Sequence, residues 1–341
     1  MAADTGQTGP DDLWLAKLEE EILEPELPII DPHHHLWVRN DYTYLMPELA
    51  VDLASGHNIV ATVYAECHSM YRLDGDKEQR SLGETEFVRG QAAMSASGEF
   101  GRARACEVMF GNVDLTLGSA VETILEQHHY ASGGRFRGVR VSSGWHSHAR
   151  ISNVAANANL LIDPRVNDAV SVIERRDLSL DCWLYHTQLD EVAQLADAHQ
   201  DLTIILNHVG TPILGGPYKG KTDEAFREWK TAILRLSKRE NVLVKLGALP
   251  IRMPSYEGDR TLPPGSEEVA GAWRPWIETC IEAFGPSRSM YESNFPVQKR
   301  WCSYQVCWNA FKLISAGASA TEKADLFARA AARTYRIEDV L

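Results

Sequence analysis

One run of this chain concentrates residues that can do chemistry: Leu27-Pro28-Ile29-Ile30-Asp31-Pro32-His33-His34-His35-Leu36-Trp37, an apolar stretch opening directly into three histidines. Drawn as a strand, its side chains alternate faces, so Asp31, His33 and His35 point one way and His34 the other. Two imidazoles two residues apart on one face can share a cation, which makes a metal centre the first chemistry to test. A histidine-rich surface tract would sit among polar residues, whereas apolar residues flank this one on both sides.

Such rings need a strand that ends at them, and the chain supplies a series of strands. After an N-terminal arm (1–26), amphipathic over 11–23, short β-branched apolar runs alternate with longer helical patterns, as βαβ units do. The candidate strands are 28–37, 58–67, 103–113, 136–142, 178–186, 202–208, 241–246 and 289–294. Between them lie helix-end signals. Asp163-Pro164 supplies an N-cap and a first-turn proline, Asp190 starts a helix running to His199, Ser319 and Glu322 form a capping box, and Gly285 closes the helix containing Ile277. Eight strands alternating with helices predict an α/β chain folded as a (β/α)8 TIM barrel, one domain over 27–341. A doubly wound open sheet is the alternative. Against it, no GxGxxG follows the first strand, and the first turn carries histidines where a phosphate loop needs glycines.

A barrel of this kind carries its chemistry at strand C-termini and the loops beyond them. His33 and His35 end the first strand, Glu66 and His68 the second, and Arg140 lies on the fourth with Trp145 and His146 beyond it. His186 ends the fifth, His208 the sixth, Lys245 sits on the seventh, and Glu292 and Asn294 end the eighth. The Gly- and Pro-rich loops 211–222 and 248–267 are placed to cover the mouth. Arg72, in the loop after the second strand, and Arg140 are the cations best placed for an anionic substrate, because a guanidinium fork grips a carboxylate at two points. The competing reading for either is an ordinary surface ion pair. Trp37, Tyr71, Trp145 and Trp301 read as walls of a cyclic substrate's pocket or as packing. His34 is expected to face the helices, and His57, His128, His129 and His199 are read as solvated.

Composition narrows the partners. With 34 basic against 47 acidic side chains the formal charge is -13, which argues against a nucleic-acid or anionic-membrane surface. An anionic ligand must therefore meet a local cluster of arginines. Six cysteines (Cys67, Cys106, Cys182, Cys280, Cys302 and Cys307) lack any CxxC pairing and lie mostly in apolar segments, so they read as reduced, buried thiols. Residues 1–10 show no signal-peptide pattern and no run approaches 18 apolar residues, which together predict a cytoplasmic protein. The arm would suit a subunit contact in a homo-oligomer.

The chain resembles the amidohydrolase superfamily, in its amidohydrolase-related branch of TIM-barrel hydrolases. The matching pieces are Asp31-Pro32-His33-His34-His35-Leu36-Trp37 for a DxHxHxW motif, Leu206-Asn207-His208-Val209-Gly210, Val244-Lys245-Leu246-Gly247, and Ser293-Asn294-Phe295-Pro296, in that order. The branch includes lactonases of sugar acids and of aromatic ring-cleavage products, and decarboxylases of aromatic acids. One departure matters: where the family usually reads Ser-Asp-Trp-Pro, Asn294 replaces the aspartate that activates water. A neutral amide can neither accept the water's proton nor act as an anionic ligand.

The resemblance implies a hydrolase of a small cyclic ester, a lactone bearing a carboxylate, with a decarboxylase or a silent ligand-binding barrel as alternatives. His33, His35 and His186 would hold a divalent metal, zinc foremost, unless the site works without metal. His208 would polarise the carbonyl or steady the oxyanion, and Glu292 or Glu66 would shuttle the proton in place of Asn294. Arg72, Arg140, Trp145, His146 and Lys245 would contact the substrate.

Overall fold

The computed structural model describes residues 9–39, 42–250, 261–338 and 340. Eight parallel strands run in chain order around a nearly closed barrel: β1 (Ile29–His34), β2 (Ile59–Ala65), β3 (Arg104–Gly111), β4 (Phe136–Ser142), β5 (Ser179–Trp183), β6 (Ile204–Leu206), β7 (Val242–Leu246) and β8 (Ser289–Tyr291). All eight expected strands are present, several of them shorter at the C-terminal end. There the chain leaves regular pairing and turns into the segments that carry the polar residues. Main-chain bonds close the seam between β8 and β1: Asn294 N–H donates to His33 O at 2.9 Å and His35 N–H to Phe295 O at 2.7 Å.

A helix follows each strand: α1 (Met46–Leu53), α2 (Leu82–Ala96), α3 (Val121–Ser132), α4 (Pro164–Arg175), α5 (Leu189–Ala198), α6 (Thr222–Leu236), α7 (Ser266–Phe284) and α8 (Tyr304–Ile314). Their ends follow local chemistry. Asp163 caps α4 by accepting from Arg165 N–H at 2.8 Å, with Pro164 in the first turn, where no backbone donor is needed. Gly285 ends α7, and Ser319 with Glu322 forms the capping box of the next helical run. That run, Ala320–Ala324, Asp325–Arg329 and Ala330–Tyr335, plugs the N-terminal end of the barrel. Ala328, Ala331 and Tyr335 pack on the interior side chains Ile30, Val63, Val108, Phe110 and Met290. A larger apolar layer fills the space between strands and outer helices.

Two features lie outside the sequence reading, and two expectations require correction. The arm is helical only over Asp12–Leu15, because its later backbone groups are bound by α8: Gln305 and Asn309 accept from Glu20 and Leu23 N–H, and Lys312 donates to Leu23 O and Glu24 O. Tertiary partners outcompete the local helix. An antiparallel ribbon pairing Trp37–Arg39 with Tyr42–Tyr44 follows β1, which the sequence reading left unassigned. His57, His128 and His199 are buried rather than solvated. Each has polar partners: His57 meets Gln305 O and Lys312 Nζ, His128 meets Thr85 and Ser81 hydroxyls, and His199 meets Glu174 and Asn167. Finally, Asp31 does not share a face with His33. The loop 248–267, read as a cover for the mouth, lies partly outside the described residues. All six cysteines are free and buried, and among the described residues no helix is long and apolar enough to cross a membrane.

Candidate active site

A β-bulge sets the first strand's chemistry. Asp31 pairs with Thr62 but His34 with Tyr64, so three steps on β1 oppose two on β2 and the alternation slips between them. Asp31 is thereby turned toward the seam. It accepts from Ser293 N–H at 3.0 Å and Tyr304 OH at 3.0 Å, and burial pushes its carboxyl up to about 6. His33 enters the barrel beside Phe110, and His34 faces outward, as expected, against the Thr62 hydroxyl at 2.7 Å.

The centre of the site is a buried acid between two imidazoles. Glu292 Oε1 accepts from His208 N–H at 3.1 Å and lies 2.6 Å from His208 Nδ1, while Oε2 lies 3.1 Å from His33 Nδ1 without hydrogen-bond geometry. Ligand atoms of His33, His208 and Glu292 all fall within 4.8 Å of one another. Gly247 of β7's end is the residue that admits this acid, since a Cβ there would stand 2.3 Å from Glu292 O and 2.7 Å from its Cγ. His208 and Val209 both hold positive φ, 56° and 48°, a conformation costly for a β-branched residue. Trp229 Nε1–H donating to Val209 O at 2.7 Å helps to hold that turn.

Two cations flank His33. Lys245 Nζ is 3.3 Å from its Nδ1, and Arg140 Nη1 is 3.3 Å from its Nε2. Burial first, then the Lys245 charge, holds His33 well below the usual histidine range. A neutral imidazole accepts at one nitrogen only, so one of the two cations faces a ring N–H. The cations are anchored by separate acids. Asp181 Oδ1 accepts from Lys245 at 2.7 Å and from Asn207 at 2.8 Å, and Tyr335 OH reaches both Asp181 oxygens at 3.0 Å. Glu66 Oε1 accepts from Arg140 Nε at 2.7 Å, while its buried Oε2 has no hydrogen-bond partner and faces His68 Nδ1 at 3.5 Å.

His35 is occupied differently. Its Nδ1 lies 2.8 Å from Ala65 O and its Nε2 lies 3.2 Å from the Asn294 amide, so neither nitrogen joins the His33, His208 and Glu292 group. His186 also stands apart, with Ile213 N–H donating to its Nδ1 at 3.1 Å, Tyr218 against its ring and Nε2 buried without a partner. Arg72 pairs with Glu86 at the surface, the bland reading of that residue. Trp145 is tied through its N–H to Gln188, and His146 through its N–H to Asn153, both in the loop beyond β4 and half-buried. Sequence reasoning missed Asp181, a lone acid in an apolar strand two strands from Lys245, and Tyr335, which lies too far along the chain to be associated with the site. It also missed Glu84, whose Oε1 accepts from Cys67 N–H, Ser69 N–H and Tyr64 OH and whose carboxyl is raised to about 7 by burial and by Glu66.

A parallel eight-stranded barrel with this polar centre at its C-terminal mouth defines a TIM-barrel protein. The amidohydrolase family pattern matches residues 30–337, and the chain belongs to that family. It is 29% identical over 334 residues to the uncharacterized protein y4mH of Sinorhizobium fredii, an alignment covering 92% of this chain and 99% of that one. It is 26% identical over 171 residues to an L-fucono-1,5-lactonase of Burkholderia multivorans, covering 50% of this chain and 55% of the lactonase. Among solved structures, a zinc-bound amidohydrolase from Burkholderia multivorans shares the fold with a TM-score of 0.68 at 22% identity, over 90% of this chain and 99% of its own.

Proposed function

We propose that this chain hydrolyses a small cyclic ester, a lactone carrying a carboxylate, at the mouth of the barrel. The observation that carries the reading is Glu66, a buried acid with one oxygen on Arg140 and the other without a hydrogen-bond partner, joined through Arg140 to the His33, His208 and Glu292 centre. In ester hydrolysis water adds to the carbonyl carbon, the ring C–O bond breaks and the alkoxide takes up a proton. Glu66 Oε2, without a hydrogen bond and with the exposed His68 ring 3.5 Å away, is the acceptor placed to take the water's proton and return it to the leaving oxygen. Arg140 and Lys245 supply fixed positive charge where the carbonyl oxygen becomes negative, and the imidazole between them cannot satisfy both. An oxyanion completes that arrangement.

His33, His208 and Glu292 are the residues that would hold a divalent ion. Two imidazoles and a carboxylate suit zinc or manganese, and the unpartnered Glu292 Oε2 is a ligand oxygen without other duty. When bound, such an ion polarises the carbonyl and lowers the pKa of its water. Asn294 stays out of the acid–base work, and its amide serves His35 instead.

The test is a panel of carboxylated and neutral lactones assayed by acid release, with metal-replete and chelated protein and with Glu66→Gln. The expected result is turnover of at least one lactone, reduced about a hundredfold or more in the variant. Carbon dioxide release from an aromatic acid, with no lactone turned over, would replace this reading with decarboxylation.

A further inference from the structure

The two arginines that the sequence offered for a substrate carboxylate are both committed elsewhere, Arg72 to Glu86 and Arg140 to Glu66 and His33. A third arginine is not. Arg39 ends the first half of the antiparallel ribbon that leaves β1, and it is exposed. Its guanidinium lies 4.4 Å from the centre of the Trp37 ring, and that ring stacks on His35 at 5.7 Å with 21° between planes. Its Nη2 donates to Cys67 O, the carbonyl of the residue next to Glu66. Among the described residues this is its one hydrogen bond, so Nε and Nη1 keep uncommitted donors. The arginine thus ties the ribbon leaving β1 to the backbone just beyond β2, one residue from the acid proposed to move the proton.

We propose that Arg39 is the carboxylate-binding residue of the site, holding an anionic group of the substrate at the rim while the scissile carbonyl sits below between Arg140 and Lys245. Three features support it. Stacking on Trp37 and the Cys67 carbonyl pre-set the fork, so little side-chain freedom remains to be lost on binding. Arg300, in the turn Gln298–Arg300 beyond β8, is held below the usual arginine range by burial first and then by the Arg39 charge, so the two cations feel each other. An anion bound at Arg39 is favoured by that second charge. In a chain of formal charge -13, such a pair is also the local exception that an acidic substrate requires. The ligand class is a small mono- or dicarboxylate; a neutral lactone gains nothing from this residue.

The inference rests on the proposed reading of the site as one for an acidic cyclic ester, but its test does not depend on turnover. Citrate is titrated into the full-length protein by calorimetry, alongside Arg39→Gln, Arg39→Lys and Arg72→Gln. The expected result is saturable, salt-sensitive binding that is at least about tenfold weaker in Arg39→Gln, intermediate in Arg39→Lys and unaltered in Arg72→Gln. Equal binding by wild type and Arg39→Gln, loss in Arg72→Gln instead, or no saturable binding by wild type up to about 10 mM citrate would each overturn it. If citrate binds as expected but no lactone is hydrolysed, the anion site stands and the reaction assigned to it falls.

Discussion

Asn294 Oδ1 lies 3.2 Å from His35 Nε2, across the seam where β8 closes on β1. His35 is buried, and that burial, with the Arg140 charge, holds it well below the usual histidine range, so the ring is neutral. Its proton belongs on Nδ1, facing Ala65 O at 2.8 Å. Nε2 is then an acceptor that faces an amide oxygen, and rotating the Asn294 amide by half a turn brings its nitrogen there to donate, an exchange that a carboxylate could not make.

Asn294→Asp therefore forces a change at His35. An acceptor-only carboxylate against Nε2 requires a proton there, either by charging the ring or by giving up the Ala65 bond. The substitution also adds an anionic oxygen close to the His33, His208 and Glu292 group. The expected outcome is a His35 ring that titrates at higher pH by NMR and a divalent-metal affinity raised about tenfold in chelator competition. An unchanged affinity would mean that the position lies outside the ion's reach.

Glu292→Gln tests the centre itself. Glu292 orients His208 through a 2.6 Å contact and supplies the only carboxylate of the candidate metal group. An amide of the same shape keeps the packing around Gly247 but not the charge. Activity should fall about a hundredfold or more and bound metal by about tenfold, with circular dichroism unaltered. Loss of activity with full metal retention would place Glu292 in the proton path instead of the ligand set.

The barrel was legible because its signals are local: β-branched runs, caps such as Asp163 with Pro164, and polar residues recurring at strand ends. His33, His208, Glu292, Glu66, Arg140 and Lys245 could be named for the same reason, each ending or lying on a recognisable strand. What could not be read was which of them meet. Strand alternation predicts one face for Asp31 and His33, and a single bulged residue undoes it. His35 and His186 carry the right chemistry but spend it on Ala65 O, Asn294 and Ile213 N–H, contacts set by loops whose paths no periodicity encodes. Tyr335 enters the barrel from a helix 154 residues from its partner Asp181, and no pattern in one sequence joins the two.

Tyr335 and Asp181 form a support under Lys245 that should show in stability. Tyr335→Phe removes the donor to both Asp181 oxygens and leaves the ring stacked on Phe110. A hydrogen bond to a charged group is worth about 1.5–3 kcal/mol, and urea denaturation should register a loss of that size. Asp181→Asn should cost more, about 3–5 kcal/mol, because it strips the buried Lys245 ammonium of its 2.7 Å partner. If the order is reversed, Lys245 does not depend on Asp181 for its charge.

His128 makes the pH dependence testable away from the site. It lies on α3, buried against α2 with Thr85 and Ser81 hydroxyls on its two nitrogens, and burial lowers it to about 4 from an ordinary 6.5. The unfolded chain therefore takes up a proton at this ring below pH 6.5 that the folded chain refuses until about pH 4. Stability falls with pH across that window, and each such histidine contributes about 1.4 kcal/mol per pH unit at most. Asp31 and Glu84, raised to about 6 and about 7, act with the opposite sign, since the folded state holds their protons more tightly. The slope of the whole protein is thus a difference of opposing contributions, and a single variant isolates one of them. In His128→Asn the loss of stability between pH 7.5 and pH 5 should be smaller than in wild type by about 2 kcal/mol, read from urea midpoints at both pH values. Parallel losses in the two proteins would mean that His128 is protonated in the folded state and that the two hydroxyls, acting as acceptors, sustain the charge.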